Sequence, residues 1–126
     1  MRAVDTNVLV RLIVQDDARQ YDAAKKFVAK GAWVTHLVLG ETTWVLKTLY
    51  LLSDAQILTA VEMLLNHTDI TVQDADAVAA ALEQYRAKPR LGFTDCLIVE
   101  AARKAGHLPL GTFDQKLRKL EGATQP

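Results

Sequence analysis

Short apolar runs alternate along the chain with longer stretches in which apolar residues recur every three or four positions. Residues 2–5 (Arg-Ala-Val-Asp) predict a short first strand, and residues 7 to about 15 a helix directly after it. Asp16-Asp17 supplies a helix-opening cap for a second helix that closes at Gly31. Residues 32–35 predict a second strand, and residues 37 to about 52 a third helix with an apolar face. Ser53-Asp54 caps a fourth, on which Ile57, Leu58, Val61, Leu64 and Leu65 fall at helical spacing. Residues 70–72 read as a third strand. Asp74 or Asp76 then opens an alanine-rich helix that stops before Pro89. Residues 93–105 predict a helix closed by Gly106, residues 108–112 a fourth strand, and residues 115–120 a last short helix. Strands alternating with helices predict an α/β fold, a parallel sheet covered by helices on both faces. In such sheets ligands sit outside the carboxyl ends of the strands.

Composition narrows the class. The chain has 126 residues, half of them apolar and about a quarter charged, which predicts one folded domain over residues 1–126 and excludes disorder. A single cysteine, Cys96, excludes a disulfide framework and fits a reducing compartment. No apolar stretch is long enough for a membrane span, and the N-terminus lacks a basic-then-apolar leader, so a cytoplasmic protein without a membrane partner is expected.

Ten Asp and five Glu balance fifteen Lys and Arg, and most of the acids sit where bland roles suffice. Asp16, Asp17, Asp54, Asp74 and Asp76 stand at helix starts, and Asp69 just before a strand. Asp22, Glu62, Glu83, Glu100 and Glu121 fall on expected solvated faces or helix ends. Asp5, Glu41, Asp95 and Asp114 remain. Asp5 and Asp114 belong at strand ends. Glu41 shares a helical face with Leu37, Val38, Trp44 and Val45, and Asp95 opens a helix below Ile98, Val99 and Ala102. Each alone could be a capping or paired acid, and Asp95 and Asp114 in particular fit ordinary caps. Together, two strand ends and two helix starts can meet at one crevice.

Clustered carboxylates repel and raise one another's pKa unless a cation is present. No strong Lys or Arg partner lies near these four in sequence. An all-carboxylate set suits Mg²⁺ or Mn²⁺ and suits zinc poorly. His36, His67, His107 and Cys96 show no ligand spacing. Carboxylate-held magnesium is used above all in phosphate-ester chemistry. With no phosphate-binding glycine loop and no Ser-His-Asp or Cys-His arrangement, metal-assisted phosphodiester hydrolysis is the reading the residues favour.

Four segments in order carry a resemblance: Val4-Asp5-Thr6-Asn7-Val8-Leu9, Glu41-Thr42-Thr43-Trp44-Val45-Leu46, Phe93-Thr94-Asp95-Cys96-Leu97-Ile98 and Thr112-Phe113-Asp114. They resemble PIN-domain ribonucleases, and among these the VapC-type toxins of toxin–antitoxin pairs, over nearly the whole chain. The resemblance implies a three-layer sandwich around a parallel sheet of four or five strands. It implies an Mg²⁺ or Mn²⁺ pocket of Asp5, Glu41, Asp95 and Asp114, and endonucleolytic cleavage of RNA. Asn7 and Thr112 match polar positions that support the pocket, and Thr6 matches as well while also fitting an ordinary turn. The likeness further implies a homodimer silenced by a small antitoxin. Two departures stand out. Gly92 occupies a position where some relatives carry a further acid, which bears on the number of metal ions. The sequence after Glu121-Gly122 leaves little room for a fifth strand, so a short or absent one is expected.

Rival readings want residues that differ here. A haloacid-dehalogenase-type phosphatase using Asp5 would carry a second Asp where Asn7 stands, and a receiver-like domain would need an early acid pair and a late Lys. A catalytically inactive PIN-like interaction module has no use for an intact acid set. The helices around residues 44–52 and 57–65, with Leu49-Tyr50-Leu51-Leu52 apolar all round, fit either core filling or a partner surface. Charge adds one refinement. Residues 48–85 hold no Lys or Arg against six acids, whereas residues 86–119 hold eight bases against three acids. Arg86, Lys88, Arg90 and Lys116 are therefore the expected contacts to an RNA backbone, despite zero net charge.

Overall fold

The computed structural model describes residues 1–126 and carries six α-helices and five short strands, all strand pairings being parallel. The chain packs as two compact units, Met1–Ala75 and Asp76–Pro126.

In the first unit β1 (Arg2–Ala3), β2 (Ala32–Val34) and β3 (Ile70–Val72) are hydrogen-bonded in that order. Ala3 pairs with Trp33, and Trp33 with Thr71. Alternation sets the burial: Ala32, Val34, Ile70 and Val72 point inward, while Trp33 and Thr71 on the other face are exposed. Two helices lead from each strand to the next, α1 (Thr6–Val14) and α2 (Ala18–Val28), then α3 (His36–Thr48) and α4 (Asp54–Asn66). Their starts are capped by side chains that accept from exposed backbone N–H groups: Asp17 from Gln20, Thr35 from Val38, and Ser53 from Gln56. Ser53 and Gln56 form a reciprocal capping box, the Gln56 side chain accepting from the Ser53 N–H.

The third helix ends four residues before the sequence pattern does. Leu49 to Leu52 are non-helical, and Leu51 adopts a left-handed backbone with φ of 56°. Tyr50 is held from afar instead: its hydroxyl accepts from Arg11 and donates to Asp16, and Arg11 also bridges Asp16 at 2.8 Å. A helix across residues 49–52 is therefore corrected to a loop. Its side chains Leu49 and Leu51 are exposed.

The second unit holds α5 (Ala75–Ala87, beginning one residue before the boundary), α6 (Phe93–Ala105) and the pair β4 (Leu110–Gly111) and β5 (Ala123–Thr124). The fifth strand is present and short. A 3-10 turn at Pro89–Leu91 joins α5 to α6, and a second at Leu117–Lys119 lies between β4 and β5. Tyr85, fully buried on α5, meets Phe93 edge to face at 6.2 Å. Glu100 departs from its expected solvated place. It is only 6% exposed, and burial is tolerated because Gln84 donates to one carboxylate oxygen and Arg103 to the other. Arg103 in turn donates to the Glu121 carbonyl at 2.6 Å, tying α6 to the segment before β5. No helix is long and apolar enough to cross a membrane.

Candidate active site and basic groove

Asp5 follows β1 and is the N-cap of α1, its Oδ1 accepting from the Thr6 N–H at 2.7 Å. It is exposed, as is Asn7, the second residue of the helix. Asn7 lines a cleft of about 300 Å³ between α1 and α2, beside Arg11 and Gln20. Thr6 is buried, and its Oγ1 has no hydrogen-bond partner.

Glu41 is exposed, and the apolar face it was expected to share is not a buried one. Its neighbours Leu37 and Trp44 are 81% and 61% exposed, so that face of α3 looks outward. The buried face carries Leu39, Thr42, Thr43 and Leu46. The two threonines are accommodated there by donating to the Val38 and Gly40 carbonyls of their own helix.

The second unit brings two of the four acids together. Asp95, in the first turn of α6, is partly buried, and its carboxyl is pushed above the ordinary carboxylate value, first by burial and then by the charge of Asp114. Neither carboxylate is in an ion pair. Asp114 is exposed and its Oδ1 accepts from the N–H groups of Lys116 and Leu117, both at 2.8 Å. The capping role open to Asp114 is thus filled. Thr112 supports this turn as expected, its hydroxyl oxygen accepting from the Asp114 N–H at 3.0 Å.

Within neither unit do three or more His, Cys, Asp or Glu side chains gather into a set able to hold a metal ion. The donor chemistry of the Asp95–Asp114 pair nonetheless fits a hard divalent cation: oxygen donors only, an Asp95 carboxyl raised by burial and by the Asp114 charge, and neither carboxylate in an ion pair. Cys96 next door is buried, with its thiol pushed up to about 11, chiefly by that burial, so it is no nucleophile. Gly92, before α6, has φ of 81° and ψ of 148°, a region essentially reserved for glycine. Open space surrounds the position of a Cβ there, so backbone strain rather than crowding disfavours a further acid at this point.

The expected RNA-contacting residues divide. Arg86 pairs with Glu83 on its own helix at 3.5 Å. Lys88, Arg90 and Lys116 line one groove of about 500 Å³, with Ala87, Pro89 and Leu91 as its apolar lining. Lys119 joins them. The sequence marks Lys119 as part of the basic stretch but gives no reason to place it with Lys88, thirty-one positions earlier, because the groove they share is lined from two separate turns.

A model of the PIN domain matches residues 2–123, and no curated protein matches the chain. PIN domains are typically nucleases and generally use divalent metals. With a match across nearly the whole length, parallel strands alternating with helices and a carboxylate pair suited to a divalent cation, the chain belongs to the PIN domain family.

Proposed function

We propose that the chain acts as a single PIN domain that is an Mg²⁺- or Mn²⁺-dependent endoribonuclease, the toxin of a toxin–antitoxin pair. The observation that carries the reading is the Asp95–Asp114 pair, in which burial and then the Asp114 charge hold the Asp95 carboxyl above the ordinary carboxylate value, with neither acid in an ion pair. Asp95 and Asp114 would hold the ion together with Asp5 and Glu41, the acids that match the family pattern. When bound, the ion supplies Lewis acidity for water attack on phosphorus and neutralises charge on the leaving oxygen. The protein's own part is positioning. Asp114 is fixed through Oδ1 by two backbone N–H groups, and Thr112 fixes the Asp114 backbone. Asp5 is fixed by the Thr6 N–H, and Asn7 stands two residues on as a polar group for the substrate or for water. Thr6 offers a buried hydroxyl with unspent hydrogen-bonding capacity. Lys88, Arg90 and Lys116 neutralise substrate phosphates.

The toxin role draws support from apolar surface. Leu37 and Trp44 on α3 and Leu49 and Leu51 after it are exposed in one stretch of chain, more than scattered surface residues require, and suit an antitoxin or a second subunit in a homodimer. The test is expression with and without Asp5→Asn, alongside RNA cleavage by purified protein with Mg²⁺. Growth arrest and Mg²⁺-dependent cleavage, both abolished by Asp5→Asn in a protein of unchanged fold, are the expected results. Wild-type rates in the variant would overturn the assignment.

A further inference from the structure

The groove of the second unit is more than a charged surface. Two 3-10 turns form it, each bringing cations to one side. Lys88 and Arg90 flank Pro89 at the first turn, and Lys116 precedes the second turn that Lys119 ends. None of the four is in an ion pair, in contrast to Arg86 with Glu83, Arg103 with Glu100 and Lys104 with Asp76. Ala87, Pro89 and Leu91 complete the lining, so apolar and cationic side chains share one groove. The volume, about 500 Å³, falls in the roughly 300–1,000 Å³ range of pockets that enclose small organic ligands. One wall is joined to the acids: the Lys116 N–H is bonded to Asp114, and the Lys88 charge reaches Cys96, next to Asp95.

Apolar side chains set among unpaired cations match a ligand with a flat, weakly polar body and anionic groups on either side. We infer that this groove seats one unpaired nucleotide of a single-stranded RNA, base inward against Pro89, Leu91 and the Arg90 guanidinium plane, with its flanking phosphates on Lys88, Lys116 and Lys119. The inference rests on the ribonuclease reading and deepens it, because it makes the enzyme selective for unpaired strands. A base in a duplex has both faces stacked and cannot enter, whereas an unstacked base can lie on an apolar or guanidinium plane. An acidic peptide would satisfy the cations but leave Pro89 and Leu91 unused.

The experiment uses the full chain in EDTA, so that binding is read without cleavage. Fluorescence anisotropy compares an unstructured RNA of about twelve nucleotides, the same RNA annealed to its complement, and an oligo-glutamate peptide. Wild type should bind the single strand best. Each phosphate contact on a single strand contributes about 0.7 to the slope of log affinity against log salt. Lys116→Gln with Lys119→Gln should therefore lower that slope by about 1.4, shrinking the loss of affinity between about 50 and 200 mM salt roughly sevenfold. Arg90→Lys keeps the charge and loses the plane, so the slope stays while the preference for single strand over duplex falls at least about fivefold. Unchanged slope and preference in these variants, equal binding of duplex by wild type, or tighter binding of the peptide would each overturn the groove. Cleavage with Mg²⁺ is measured in parallel. Wild type that cleaves RNA while the groove variants bind normally overturns the groove alone. Selective binding without cleavage supports the groove and removes the nuclease reading. A chain that neither binds nor cleaves removes both.

Discussion

Asp114 does two jobs that substitution can separate. Its Oδ1 accepts from the Lys116 and Leu117 N–H groups, and its negative charge acts on Asp95. Asp114→Asn keeps an oxygen in place for both N–H groups and removes the charge. Asp114→Ala removes both. Loss of a side-chain cap of this kind costs about 1 kcal/mol. For 126 residues the unfolding entropy near the midpoint makes that a fall in Tm of about 4 °C. The Ala variant should therefore melt about 4 °C lower by circular dichroism, with the Asn variant within about 1 °C of wild type. Cleavage of RNA with Mg²⁺ should fall about 100-fold in both, the usual cost of removing one group that stabilises developing charge. Full activity in the Asn variant would show that the residue is only a cap. An Ala variant as stable as wild type would show that the two hydrogen bonds contribute nothing, and the geometric account of the turn would fail.

Further outcomes follow from the same structure. Because the folded Asp95 carboxyl is raised, the native state binds more protons than the unfolded chain just above the ordinary carboxylate range, so stability falls as pH rises through that window. Asp95→Asn should be more stable than wild type at neutral pH and lose that advantage in acid. Added Mg²⁺ should raise the Tm of wild type but not of the variant. Glu100→Ala strands a buried Gln84 contact and the Arg103 guanidinium, and urea denaturation should show a loss of about 2 kcal/mol. Gly92→Ala places a Cβ on a backbone suited to glycine, at a cost of about 1–3 kcal/mol read as a lower Tm.

Much of the architecture is legible in the sequence where a local signal fixes it. Residues 70–72 and 93–105 form their elements as the pattern predicts, the latter because Gly106 closes the helix with a left-handed backbone. Ser53 and Gln56 announce α4 within three residues of each other. What escapes depends on partners far along the chain. The apolar run through Leu52 continues a helical pattern, but Tyr50 answers to Arg11, thirty-nine positions earlier. Glu100 looks like a surface acid until Gln84, sixteen positions away, is known to be its partner. Glu41 shows the converse failure: apolar neighbours marked a face as buried, yet polar threonines that bond to their own helix line the inner side. Sequence order alone places Asp95 and Asp114 nineteen residues apart, and only the turns at Pro89–Leu91 and Leu117–Lys119 reveal which cations share a groove.

The tether on Asp114 has a kinetic side. A free aspartate samples several rotamers, and a ligand must wait for, and immobilise, the right one. Here both backbone donors converge on Oδ1, leaving Oδ2 outside those bonds but unable to swing away. The disorder of that side chain is lost once, as the chain folds, instead of at every encounter. Asp5, anchored through Oδ1 by its own neighbour's N–H, has the same property. An ion or phosphate ester arriving at either carboxylate meets an oxygen already aimed, so capture should be limited by diffusion and dehydration, with little conformational delay.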